Sequence, residues 1–163
     1  MFTPRFQAVY IVGTLLAFSV VALLTRAGRR PIAAAVCSVA VFTALSTPID
    51  AFGRVMGLWT YPSGEPTLVV YVGQSLEYVG CLTLVGWRVH RRFGRRGIVV
   101  AACLTCVLGA ARDFVFAAVR PDVLHVGPLP WSLLGDVAAW AVVALVALSG
   151  SVLSRRAEPR ASR

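Results

Sequence analysis

The chain contains no lysine and no asparagine, and only 14% of its 163 residues are charged. A soluble domain carries roughly a quarter. It has two histidines, too few and too far apart for a usual zinc site. There is no glycine-rich phosphate loop, no H-E-x-x-H and no G-x-S-x-G. Phosphoryl transfer, zinc hydrolysis and serine hydrolysis therefore have no sequence support. The four cysteines, Cys37, Cys81, Cys103 and Cys106, all fall inside apolar runs and read as small packing residues without a disulfide.

What is present is hydrophobic. The composition is 58% apolar with a mean hydropathy of +0.76. Five runs approach the ~20 residues needed to cross a bilayer. They predict helices over 7–25, 32–50, 68–87, 98–119 and 131–151. The expected class is an all-α integral membrane protein, a five-helix bundle over 1–153 with a basic cytoplasmic tail over 154–163.

The net charge of +9 is carried by sixteen arginines. Twelve fall in three clusters, after the first, third and fifth runs: Arg26, Arg29 and Arg30; Arg88, Arg91, Arg92, Arg95 and Arg96; Arg155, Arg156, Arg160 and Arg163. This is the positive-inside pattern and not a nucleic-acid face. It predicts an N-terminus outside, a C-terminus in the cytoplasm and two extracytoplasmic loops, 51–67 and 120–130. The first run is followed, not preceded, by its basic cluster and reads as a retained helix. Arginine-only usage with abundant Ala, Val and Gly suggests a GC-rich bacterium and a multi-pass protein of its cytoplasmic membrane.

With that orientation, six of the seven carboxylates lie towards one side: Asp50, Glu65, Glu77, Asp113, Asp122 and Asp136. Glu158 is the exception. Glu77, Asp113 and Asp136 fall within apolar runs, and ionisable groups in a bilayer are functional candidates by default. Glu77 sits about nine residues into its helix, roughly 14 Å from the outer end, with Gln74, Tyr78 and Cys81 on its face. A carboxylic acid that keeps its proton at working pH can serve as a general acid; an interhelical hydrogen bond or an ion pair with Arg112 explains the same residue structurally. Asp136 shares a face with Ser132 and Trp140. Arg112 adjoins Asp113, but helical neighbours do not face each other, so Glu77 or Asp136 is its expected partner. Asp50 is expected at the end of the second helix, with Arg54 one turn on. Trp59, Tyr61, Trp131 and Trp140 lie at similar depth. They suit either an interfacial aromatic belt or a wall that stabilises positive charge.

A weak repeat is visible. Asp50 to Glu77 spans 27 residues and Asp113 to Asp136 spans 23, each pair separated by a Pro-containing loop. Both pairs would run in the same direction, a parallel repeat with a site at its interface.

The stretch D-A-F-G-R-V-M-G-L-W-T-Y-P, followed by Glu77 in the next helix, resembles the membrane-bound lycopene cyclase domain and related small integral-membrane terpene cyclases. Asp50, Gly57, Trp59, Tyr61 and Glu77 match that family's positions, and Asp136 would be the second half's acidic counterpart. Leu76 stands where the family often has a second glutamate, and five helices stand where it commonly has six. The resemblance implies acid-initiated cyclisation of a lipid-soluble isoprenoid, an alkene or an epoxide. Glu77 or Asp136 would be the proton donor and Asp113 and Asp50 the further acids. Trp59, Tyr61, Gln74, Tyr78, Arg112, Trp131 and Trp140 would line the substrate. No metal or cofactor is implied, and a homo-oligomer or partner subunit is compatible. The expected effect of Glu77→Gln is loss of activity in a folded protein. Two other readings stay open: an intramembrane aspartyl peptidase of the lipoprotein signal peptidase type using Asp113 and Asp136, and a small proton-coupled transporter or membrane subunit.

Overall fold

A computed structural model describes residues 3–156. Helix α1 spans Pro4–Thr25, and Thr3 caps it by accepting the Phe6 amide at 3.3 Å. Helix α2 is Arg29–Val55. It extends five residues beyond the expected end, so Asp50 lies inside the helix rather than closing it. Helix α3, Leu68–Gln74, continues through a π-helical turn, Ser75–Gly80, into helix α4, Cys81–Val119. Helix α5 is Trp131–Arg156 and so includes the first three residues assigned to the tail. The rest of that tail lies outside the described residues.

Among the described residues, four helices are long and apolar enough to cross a membrane. The third, Leu68–Val119, covers both the third and fourth expected helices in 52 residues. No loop separates them; the break is one residue, Gly94, at φ 63 and ψ −148. Only glycine adopts that backbone without strain. The surface also suits lipid: Leu24, Val55 and Leu145, on three different helices, are largely exposed, and water-facing monomers rarely leave so many large apolar side chains outside.

The helices are held by small residues and hydroxyls, as lipid-embedded helices are. Ser151 donates to the Thr83 carbonyl at 2.8 Å, joining α5 to α4. Thr43 donates to Ser75 Oγ at 2.9 Å, joining α2 to the π-helical turn. A buried cluster of Val79, Ala110, Trp140, Val143 and Ala147 lies beyond these contacts. At one end the two long loops clasp each other. Strand β1, Trp59–Thr60, pairs antiparallel with strand β2, His125–Val126, and the Gly127 amide donates to the Leu58 carbonyl at 2.8 Å. This clasp places Trp59 and Tyr61 over the interior.

Candidate active site

The first polar cluster is built on Asp50. Because α2 continues to Val55, the carboxylate is turned inward and is 6% exposed. Its Oδ1 accepts from Trp59 Nε1 at 2.9 Å and Tyr61 OH at 2.8 Å. Its Oδ2 accepts from Tyr71 OH at 2.8 Å and pairs with Arg54 Nε at 3.4 Å. The expected Asp50 and Arg54 pair is therefore present, and Arg54 also pairs with Glu65. Three hydrogen-bond donors and one ion pair therefore converge on this carboxylate, although Arg54 Nε itself makes no hydrogen bond. Asp50 is thus a structural anchor. Burial, and then the Asp50 charge, hold the Tyr61 hydroxyl well above the usual phenol range. Tyr61 is also an electrostatic neighbour of Asp113 and links this cluster to the next.

The second cluster brings α4 and α5 together. Trp140 Nε1 donates to Asp113 Oδ2 at 2.7 Å. Arg112 pairs with Asp113, its sequence neighbour. That corrects the expectation of a partner on another helix: the Cβ atoms diverge, but the arginine stem is long enough to bring its guanidinium back. The same guanidinium lies over the Tyr78 ring at 4.8 Å and the Phe116 ring at 5.8 Å. Asp136 lies beside Asp113. Among the described residues its buried Oδ2 has no hydrogen-bond partner.

Both tryptophans are seated on a glycine. A Cβ at Gly53 would come within 2.0 Å of the Trp59 indole, and one at Gly109 within 2.0 Å of the Trp140 indole. Gly53 lies three residues after Asp50 and Gly109 four before Asp113. In each cluster a helical glycine next to the aspartate lets an indole N–H reach the carboxylate.

Glu77 is placed differently from the sequence reading. It lies in the π-helical turn, whose extra residue breaks the i, i+4 register. Gln74 and Tyr78 line the central cavity, while Glu77 turns to α1 and accepts from Tyr10 OH at 3.2 Å through Oε2. Nothing in the sequence marks Tyr10 as a site residue. A lone tyrosine in an apolar helix reads as a membrane aromatic, and its partner is 67 residues away.

The cavity is about 440 Å³, within the roughly 300–1,000 Å³ range of small-molecule sites. Asp50, Asp113 and Asp136 line it. So do Trp59, Tyr61, Gln74, Tyr78, Arg112 and Trp140. Trp131 does not; it is 69% exposed and belongs to the outer surface. Phe42, Phe116 and Ser132 are also in the wall, as are Tyr71 and Tyr10, the partner of Glu77. A larger groove of about 600 Å³ between α4 and α5 is lined by residues such as Ala102, Leu145 and Leu148. It holds no carboxylate or aromatic side chain and offers no comparable chemistry.

No family model, curated protein or solved structure matches this chain.

Proposed function

We propose that this protein is an integral-membrane terpenoid cyclase that uses a carboxylic acid to start cyclisation of a lipid-soluble isoprenoid. The observation that carries the reading is the pair of carboxylates, Asp113 and Asp136, in a cavity walled by Trp59, Tyr61, Tyr78, Phe116 and Trp140. Such a wall excludes water and offers π faces to positive charge.

Asp136 is the proton donor in this account. Two carboxyl groups in contact share one proton more readily than they carry two negative charges. Asp113 has Arg112 and Trp140 on its oxygens, which match its charge. Asp136 retains the oxygen without a partner. It would transfer its proton to an alkene carbon or an epoxide oxygen, leaving a cationic carbon that an internal double bond attacks. Loss of a proton from the ring to the Asp136 carboxylate gives an isomer of the substrate and restores the acid. Capture by water in place of that loss gives a product heavier by one water. Glu77, turned to Tyr10, has a supporting role. No cofactor enters these steps.

The same proposal includes five crossings. Leu68–Val119 would be about 78 Å long if straight, more than twice the ~30 Å hydrocarbon core. A turn at Gly94 divides it among exposed Arg91, Arg92, Arg95 and Arg96, which suit a cytoplasmic surface. The cavity and the clasped loops then face outward, in a bacterial cytoplasmic membrane, with the N-terminus outside. The two Asp, Trp and Gly clusters support two related halves, although Trp59 comes from a loop and Trp140 from a helix.

One observation favours a second reading. Adjacent Asp113 and Asp136 also suit an aspartyl peptidase. The Arg112 and Trp140 contacts on Asp113 count against it, since they occupy the oxygens that would activate water.

The test is to incubate vesicles containing the purified protein with a panel of linear and epoxidised isoprenoids, read by mass spectrometry. A product of equal mass and shifted retention, absent with Asp136→Asn, supports the cyclase. Cleavage of a membrane-embedded peptide without isoprenoid conversion would replace it with the peptidase.

A further inference from the structure

Arg112 fills a place built for a cation. Its guanidinium lies over Tyr78 at 4.8 Å and Phe116 at 5.8 Å and pairs with Asp113. Trp140 meets the Tyr78 ring edge-on, with centroids 5.2 Å apart, and donates to Asp113. These five side chains all line the cavity. Aromatic faces and a carboxylate converging on one point form a receptor for positive charge. The occupant is a side chain on a long stem, and it is 46% exposed. Its long stem lets the guanidinium withdraw along the cavity towards the clasped loops.

The geometry points to an organic-cation subsite, formed by Tyr78, Phe116 and Asp113, that Arg112 fills in the empty protein and yields to a cationic ligand. The ligand class is a lipid-soluble tertiary or quaternary ammonium, or a cationic carbon formed in place. The exchange conserves charge: one cation leaves, one arrives, and Asp113 stays paired. A neutral isoprenoid cannot replace Arg112, because Asp113 would be left without a counter-ion in an apolar wall. Arg112 thereby becomes a specificity-determining residue. The inference rests on the cyclase reading for its ligand class, but the subsite is decided by binding and the cyclase by conversion.

The experiment uses the full chain in discs of zwitterionic phospholipid. It titrates N,N-dimethylgeranylamine, protonated at neutral pH, against neutral geraniol. Tryptophan fluorescence reports binding, since Trp59 and Trp140 line the cavity, and empty discs are subtracted. The amine is expected to bind more tightly than geraniol. Arg112→Gln, which removes the competitor, should tighten amine binding about three- to tenfold. Arg112→Lys, which keeps a cation, should stay near the parent value. Phe116→Leu should weaken amine binding about threefold more than it weakens geraniol binding. Unchanged or weaker amine binding in folded Arg112→Gln overturns the subsite. Should that variant not fold, Phe116→Leu decides: an unaltered preference for the amine overturns it. Amine binding without conversion of any neutral isoprenoid keeps the subsite and removes the cyclase. Conversion without amine preference removes the subsite alone.

Discussion

Asp50→Ala should be among the most destabilising single changes in the protein. The carboxylate accepts from Trp59, Tyr61 and Tyr71, with all three donors within 2.9 Å, and it faces Arg54. Removing it leaves three donors at a buried site without an acceptor, and each costs about 1–3 kcal/mol. The Arg54 term is small, about 1 kcal/mol or less, because Arg54 is partly exposed and keeps Glu65. Partial rearrangement keeps the total at roughly 3–6 kcal/mol, a large share of the usual 5–15 kcal/mol. Asp50→Asn should cost less, about 1–3 kcal/mol. Its carbonyl keeps two donors, and Tyr71 can turn its hydroxyl to accept from the new amide. The assay is reversible unfolding in mixed micelles, followed by tryptophan fluorescence and circular dichroism. In the Tyr71→Phe background the cost of Asp50→Ala should fall by about 1–2 kcal/mol. An Asp50→Ala protein within about 1 kcal/mol of the parent, or equal costs in both backgrounds, would show that Asp50 does not anchor these donors.

Three further outcomes follow from the same geometry. Gly109→Ala and Gly53→Ala put a methyl group into an indole ring and should cost about 1–3 kcal/mol each, with an emission shift as the tryptophan is displaced; an unshifted spectrum at parental stability contradicts the seating. Tyr61 is one of four tyrosines, and its folded-state pKa is raised above the unfolded value of about 10. Its stabilising contribution is therefore complete below about pH 10 and is lost only as pH rises through the higher folded value. Tyr61→Phe should leave the tyrosinate absorbance gained near pH 10 by the folded protein unchanged, while reducing it after unfolding. In the isoprenoid assay Trp131→Ala should keep near-parental turnover, since Trp131 lies outside the cavity, and Tyr10→Phe should lower turnover less than Asp136→Asn does.

Much of the helical frame is legible in the apolar runs, because a helix that crosses lipid needs about 20 consecutive apolar residues. The Asp50 and Arg54 pair follows from helical i, i+4 spacing, and the tryptophans near the acids follow from their depth. What sequence spacing misses is set by contacts from elsewhere in the chain. The π-helical turn at Ser75–Gly80 adds one residue to a register that otherwise reads as regular, and so moves Glu77 off the face of Gln74 and Tyr78. Tyr10 finds Glu77 only through the packing of α1 against that turn. Arg112 returns to Asp113 over the Tyr78 and Phe116 rings, and Tyr78 lies 34 residues away in sequence. Trp131 and Trp140 look alike from sequence, but they lie nine residues apart and fall on opposite sides of α5. The glycine seats at Gly53 and Gly109 become meaningful only once their tryptophan partners are known.

Acid-initiated cyclisation requires a protein-bound acid to add a proton to carbon or oxygen of an isoprenoid. The most direct measurement is to run the conversion in heavy water with an alkene substrate, after equilibrating the protein so that the Asp136 proton has exchanged. Acid-initiated cyclisation predicts a cyclic product carrying one deuterium on carbon, one mass unit above the isomer formed in ordinary water. A cyclic product without deuterium, or no conversion by protein shown to be folded, would contradict it.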